Sequence, residues 1–405
     1  MKRARILIAM VLAMMAALTV WANHPWLSRV YEYRPAPGQF INTMPIYRIG
    51  EPYDSVLSRC QSDLCGRIDT TTEVIAGVEY TRIDTVINKS GMVSLGGFGG
   101  YIIVGFDHPV VNMHDYDFEI MGNAFYSSAY VGGGSCEPGI VVVGVDEDGD
   151  GVPSDGDKWY ELAGSEYNHP TTQHDYTITY YRPDESKVRT PSLVDRNLND
   201  TTYIRWTSND VNPDSTSGYM SRNIYHHQPY WPMWLNEEET FTFSGAKLRC
   251  NVAFMEGDGS YPYFLLQNFA WGYVDNLPNR IDSIPQPDGY YNPGFKIDWA
   301  VDEHGNHVNL THIDFIKVYS AQNQYCGSIG ETSTEVTGGI DYHPDAVMPN
   351  PLVGDVNGDG EVTVSDVNMT IDIIQTGGYS AAADVDGDGE VGLGDINAVI
   401  GLILQ

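Results

Sequence analysis

Near its C-terminus the chain repeats a twelve-residue acidic window, residues 355–366 and then residues 384–395, 29 residues apart. In both windows oxygen-bearing side chains fall at positions 1, 3, 5 and 12. A glycine stands at position 6, where a sharp turn needs positive φ, and position 7 offers a backbone carbonyl. This layout fits calcium, a hard cation that takes six to eight oxygens. The candidate ligands are Asp355, Asn357, Asp359, Glu361, Thr363 and Asp366 in the first window, and Asp384, Asp386, Asp388, Glu390 and Asp395 in the second.

Each window runs into a helix-period pattern. Val364, Val367, Ile371 and Ile374 match Leu393, Ile396, Ile400 and Ile403, and the 3-4-3 spacing predicts one apolar stripe per helix. Two short helices bury little apolar surface, and every charged side chain in residues 354–405 is acidic. Ion binding is therefore expected to supply folding free energy, both by neutralising the repulsion and by closing the loops.

Position 12 is Asp in both windows, where a standard EF-hand carries a longer Glu, and no helix-forming sequence precedes either loop. Loop-then-helix repeats of this kind resemble type I dockerins, modules that dock onto cohesins. The resemblance covers residues 354–405 and implies two calcium ions and a cohesin-like partner. It also implies a contact surface at the start of each helix, at Val364, Ser365, Leu393 and Gly394.

At the other end, Lys2, Arg3 and Arg5 precede an uncharged apolar run from Ile6 to Val20, too short for a comfortable bilayer span. This reads as a signal peptide over residues 1–22, cleaved after Ala22. No cysteine follows that point, so the expectation is a secreted or surface-associated chain that is not lipidated. The formal net charge of −32 deepens when the three leader cations are removed, which argues against nucleic acid and anionic membrane as partners. Five cysteines, Cys60, Cys65, Cys136, Cys250 and Cys326, are too sparse for a disulfide framework.

Between these ends the texture is mainly β. A helix is expected at Ser55–Leu64, with Asp54 as N-cap and Gly66 as stop. Strand-like runs follow at residues 101–106, 140–145, 176–181, 240–243 and 313–319, separated by Gly, Pro, Asn and Asp clusters. The expectation is a large β-sandwich or jelly-roll domain over residues 23–340, a linker at 341–353, and a small all-α module at 354–405. The large domain resembles uncharacterised secreted or cell-surface proteins of Bacteroidetes. The resemblance rests on the Gly-rich run 93–106, the turn Asn123-Ala124-Phe125, the pair Glu137-Pro138, the segment 159–164 and the block 297–319. It implies a sandwich-type binding domain and brings no catalytic residues with it.

Within that domain, residues 146–157 offer a third calcium window, with Asp146, Asp148, Asp150, Val152 (through its carbonyl) and Asp157 as candidate ligands between two strands. Glu119, Asn123 and Glu137 are further oxygen donors for this or another site. The aromatic stretch 225–234 suggests a sugar-stacking surface made of Tyr225, Tyr230, Trp231 and Trp234. No nucleophile elbow, zinc-binding helix or phosphate-cradling loop occurs. The expected function is a secreted calcium-binding protein that docks through its tail and binds carbohydrate or another nutrient through its β domain. The alternative is a glycoside hydrolase of polysaccharide degradation carrying the same tail.

Overall fold

The computed structural model describes residues 23–404, apart from residues 76–77, 87–90, 128–129, 236, 256–262, 280–291, 349–352, 357–361, 377 and 381. The expected signal peptide lies outside the described residues. The fold is mainly β and antiparallel, with two helices in the C-terminal region.

Ten strands build the two principal sheets: β1 (Arg29–Arg34), β2 (Tyr101–Gly105), β3 (Gly139–Val145), β4 (Lys158–Leu162), β5 (Gln173–Tyr181), β6 (Leu198–Ser208), β7 (Ser217–Asn223), β8 (Thr240–Lys247), β9 (Ala300–Val301) and β10 (Phe315–Ser320). A six-stranded sheet runs in the order β1-β2-β10-β3-β4-β9, and a four-stranded sheet in the order β7-β6-β5-β8. A third sheet joins the segments 252–255, 263–267, 130–135 and 125–127.

The six-stranded sheet is covered on one face and over much of the other, which explains the near-continuous apolar runs of β2 and β3. On one face Ile102, Val104, Val141, Val143, Ile316 and Val318 share a core with Val56, Cys60 and Leu64 of helix α1 (Tyr53–Leu64). On the other, Ile140, Val142, Tyr101 and Tyr319 meet Tyr176, Ile178 and Tyr180 of β5 and Phe241 and Phe243 of β8. Helix α1 starts two residues earlier than its sequence suggests. Pro52 stands at its N-cap, so Asp54 lies in the first turn rather than capping it.

The two ends of this body clasp each other. Trp26 bridges to Ile340, the Asp341 N–H donates to the Pro25 carbonyl at 2.7 Å, and the Asn23 amide donates to the Pro344 carbonyl at 2.8 Å. Residues 338–341 form a strand with residues 118–121, and Asp341 also meets His108 Nε2 at 2.8 Å. Residues 341–344, expected in the linker, therefore belong to the body. Pro344 and the lack of periodicity concealed the end of a short strand at Asp341 and the hydrogen bonds that follow it.

In the tail, α2 (Val364–Thr376) and α3 (Leu393–Ile403) pack on each other. All five cysteines are unpaired, four buried and Cys250 exposed. Among the described residues, no helix is long and apolar enough to cross a membrane.

Candidate functional site

The loop 384–395 is organised around Asp395, which is buried in the first turn of α3. Its Oδ1 accepts the N–H groups of Val385 (2.7 Å) and Asp386 (3.1 Å), and its Oδ2 accepts that of Gly392 (2.7 Å). Burial pushes this carboxyl up, but those three N–H groups outweigh it and hold Asp395 below the usual carboxylate range. The other bonds run along the loop. Asp384 Oδ2 accepts from Gly389 (3.0 Å), Asp386 Oδ1 from Asp388 (3.2 Å), and Asp388 Oδ1 from Glu390 (2.9 Å). Gly389, at position 6, has φ +89°, the conformation its place in the pattern requires. One oxygen each from Asp384, Asp386 and Asp395 lies within 4.8 Å of the others.

The described part of the first loop repeats this plan. Asp366 is buried in the first turn of α2, its Oδ1 accepting from Val356 and its Oδ2 from Thr363, both at 2.7 Å. Asp355 is buried beside it, while Asn357, Asp359 and Glu361 lie outside the described residues.

The window 146–157 forms the tip of the β3–β4 hairpin, and five of its hydrogen bonds fall at the same positions as bonds of 384–395. Gly151 donates to Asp146 Oδ2 (2.9 Å), Asp150 to Asp148 Oδ1 (3.2 Å), and Val152 to Asp150 Oδ1 (2.7 Å). Glu147 donates to Asp157 Oδ1 (3.2 Å) and Ser154 to Asp157 Oδ2 (2.6 Å). Gly151 at position 6 has φ +73°, and oxygens of Asp146, Asp148 and Asp157 converge within 4.8 Å. The position-3 carboxyl is raised in both loops. In Asp386, burial and the charges of Asp388, Asp395 and Asp384 raise it; in Asp148, the N–H bond from Asp150 pulls it down, but burial and the neighbouring carboxylates push harder. A donor set of converging, mutually repelling carboxylates with water-accessible positions 3 and 5 suits a hard divalent cation.

At the helix starts, Val364 and Leu393 are 65% and 76% exposed, with Ser365 and Gly394 exposed beside them. Neither apolar residue belongs to the helix–helix core, which corrects part of the expected stripe. The fully buried positions are Asp366 with Thr370 and Asp395 with Val399. Val367, Ile371, Ile374, Ile396 and Ile403 are half-buried, and Ile400 is exposed. The position-12 carboxylate must point into its loop, so its helix face, continued one turn on by Thr370 or Val399, becomes the inward one.

The aromatic stretch does not form an exposed platform. Tyr230 and Trp231 are buried, Trp231 stacking on Phe241 at 4.3 Å between ring centroids. Trp234 is half-buried between Tyr33 and Tyr47, and only Tyr225, 61% exposed, faces solvent. Tyr203 of β6 and Phe241 of β8 in the four-stranded sheet, and Tyr33 of β1 in the six-stranded one, absorb the rings.

Glu137 joins Asp275 and Glu335 in a buried triad whose oxygens lie within 4.8 Å. None of the three makes an ion pair among the described residues. Burial raises Glu137 and Asp275 well above the carboxylate range and pushes Glu335 up to about 7. The Asn123 N–H donates to Asp275 Oδ1 at 2.7 Å, so two of the sequence-flagged donors meet here. Glu119 instead accepts from the Tyr342 hydroxyl at 2.7 Å. Asp275 stands in no metal-like spacing in the sequence; its positive φ of 56° is a structural sign that the sequence does not display.

Residues 353–404 match the family model of the dockerin type I domain. The dockerin match spans both loops and both helices and supports a role in protein–protein docking. Calcium binding is typical of such domains, and they occur in extracellular or cell-surface proteins. No curated protein matches the chain.

Proposed function

We propose that this is a secreted, calcium-dependent docking protein. Its tail holds two calcium ions and a cohesin-like partner, and its β body holds a third calcium in the 146–157 loop and carries a carbohydrate or other nutrient. The observation that carries this reading is the repeated loop–helix geometry beneath the dockerin match, with position-12 carboxylates buried in the first turn of both helices. The matching bonds of the hairpin loop support the third ion. The paired exposed residues Val364 and Leu393 are the apolar centre of the docking surface, one in each repeat.

The test is capture of the full chain on immobilised cohesin domains, in calcium and in chelator. Capture in calcium alone, lost in the double variant Val364→Asp/Leu393→Asp with helix content retained, is the expected result. Capture that ignores calcium, or that survives the double variant, refutes the docking reading. Equilibrium dialysis with radioactive calcium then counts the ions: three for the full chain and two for Asp146→Ala/Asp150→Ala.

A further inference from the structure

The open part of the six-stranded sheet's inner face carries an ordered row of side chains that the calcium loops do not explain. The four-stranded sheet covers this face only as far as its edge strand β8, and alongside that edge runs a groove with a volume of about 790 Å³. Strand register places Glu161, Val142, Lys317, Ile103 and Glu32 directly beside one another across β4, β3, β10, β2 and β1, and all five line the groove. The rows on either side are aromatic. Trp159 and Phe315 flank it on one side and Tyr319 and Tyr101 on the other.

Two features of this floor point to a ligand. Lys317 is half-buried, yet among the described residues its ammonium has no hydrogen bond and no ion pair. The Tyr101 ring lies 4.1 Å from its Nζ, centroid to atom. Glu32, two strands away and accepting from the Tyr101 hydroxyl at 2.6 Å, attracts it without pairing, and burial outweighs that attraction and lowers the lysine's pKa. Trp159, meanwhile, lies flat over Gly144, three ring carbons standing 3.1–3.2 Å from where a Cβ would be. It stacks on Phe315 and leaves its other face to the groove. A partly dry cation without an ion-pair partner and an adjacent flat apolar ring match a ligand that joins a carboxylate to a pyranose face.

We propose that this groove binds an acidic saccharide, a uronate unit whose carboxylate pairs with Lys317 while its ring stacks on Trp159. The inference rests on the reading of the body as a carbohydrate carrier and assigns that reading a site. Glu161, burial-shifted to about 7, supplies a hydrogen bond to a ring hydroxyl as a neutral acid in mildly acidic medium. The row also argues for binding rather than glycosidic cleavage by its own two carboxyls. Glu161 and Glu32 are four inter-strand steps apart, about 19 Å at about 4.8 Å per step, far beyond the roughly 5–9.5 Å of glycosidase pairs.

The test is calorimetric titration of the full chain in calcium with trigalacturonate, its methyl ester, neutral cellotriose and a carboxylate-bearing tripeptide. A short probe is used because the chain's net charge of −32 repels long polyanions. The expected result is binding of trigalacturonate that falls about 10- to 100-fold in Lys317→Met, the range for losing one charged hydrogen bond. Lys317→Arg should restore most of it, with melting temperatures of both variants near that of the parent. If cellotriose or the methyl ester binds as well as trigalacturonate and Lys317→Met is silent, the uronate site is overturned while the carbohydrate reading stands. If no saccharide binds, both fall. If the tripeptide alone binds in a Lys317-dependent way, the saccharide assignment is overturned.

Discussion

The loops at 146–157 and 384–395 share five internal hydrogen bonds at matching positions, yet one closes a β-hairpin and the other opens a helix. The loop is thus a local solution, set by Asp at positions 1, 3 and 12 and Gly at position 6, and indifferent to the element that carries it. What differs is what depends on it. β3 and β4 are already held by the six-stranded sheet and two cores, whereas α2 and α3 have little beyond Thr370, Val399 and a few half-buried aliphatics. An ion in the hairpin loop would add an increment to a fold that exists without it; in the tail loop it would be part of folding.

Chelation breaks this comparison most directly. Removing calcium from the full chain should abolish the tail's helical circular dichroism and its calorimetric transition while the body's transition persists. A tail that keeps its helices in chelator would overturn the coupled-folding account.

Next in size are single ligands. Asp384→Ala should remove nearly all of the tail's calcium-induced helix signal, not half, because each helix packs on the other. Asp355→Ala should behave alike, and calcium-dependent ellipticity read against the parent separates half-loss from full loss.

In the body the same chemistry should be worth less. Asp146→Ala/Asp150→Ala should lower its stability by about 2.7 kcal/mol when free calcium is 100-fold above Kd, a shift of some degrees in Tm, and by nothing in chelator. Equal melting of the parent in calcium and chelator would remove the third ion.

A pH effect concerns buried carboxyls of the body in which burial outweighs the N–H groups they accept, as Asp275 does from Asn123 and Glu335. Glu335 and Glu331 are pushed to about 7 and about 8 by burial, and Glu137 and Asp275 are raised with them. Folded-state values above the unfolded ones mean that the native body holds extra protons. Its stability is full below the ordinary carboxylate range and is lost as pH rises through 7 to 8, by about 1.4 kcal/mol per pH unit for each excess proton. Melting of the body in chelator between pH 5.5 and 8 should therefore fall with pH, and a rise would show that the triad is ionised in the fold.

The loop shapes at 146–157 and 384–395 were legible in the sequence, because every candidate ligand lies within twelve residues and the glycine at position 6 implies the turn. The β class and most strands were readable for a related reason, since a doubly covered strand such as β3 is an almost uninterrupted run of Val and Ile between glycines. Helix faces were less so: the apolar spacing ignored the demand that Asp366 and Asp395 turn inward, so Val364 and Leu393 seemed as fit for the core as for the surface. The aromatic stretch misled because ring content does not say which side is wet. The groove was hidden for another reason, that Glu161, Lys317 and Glu32 meet only through register across five strands. The one local sign was a lysine between Ile316 and Val318 in a strand otherwise apolar.

The clasp at the body's ends has a mechanical meaning. Pro25 and Trp26 run antiparallel to Ile340 and Asp341, so residue 23 and residue 344 emerge on the same side. A pull applied between them loads those bonds one after another, like a zip, instead of shearing a ladder all at once. Tension transmitted through a docked tail would then be released by peeling these few contacts, before it reached the sheet that holds the groove.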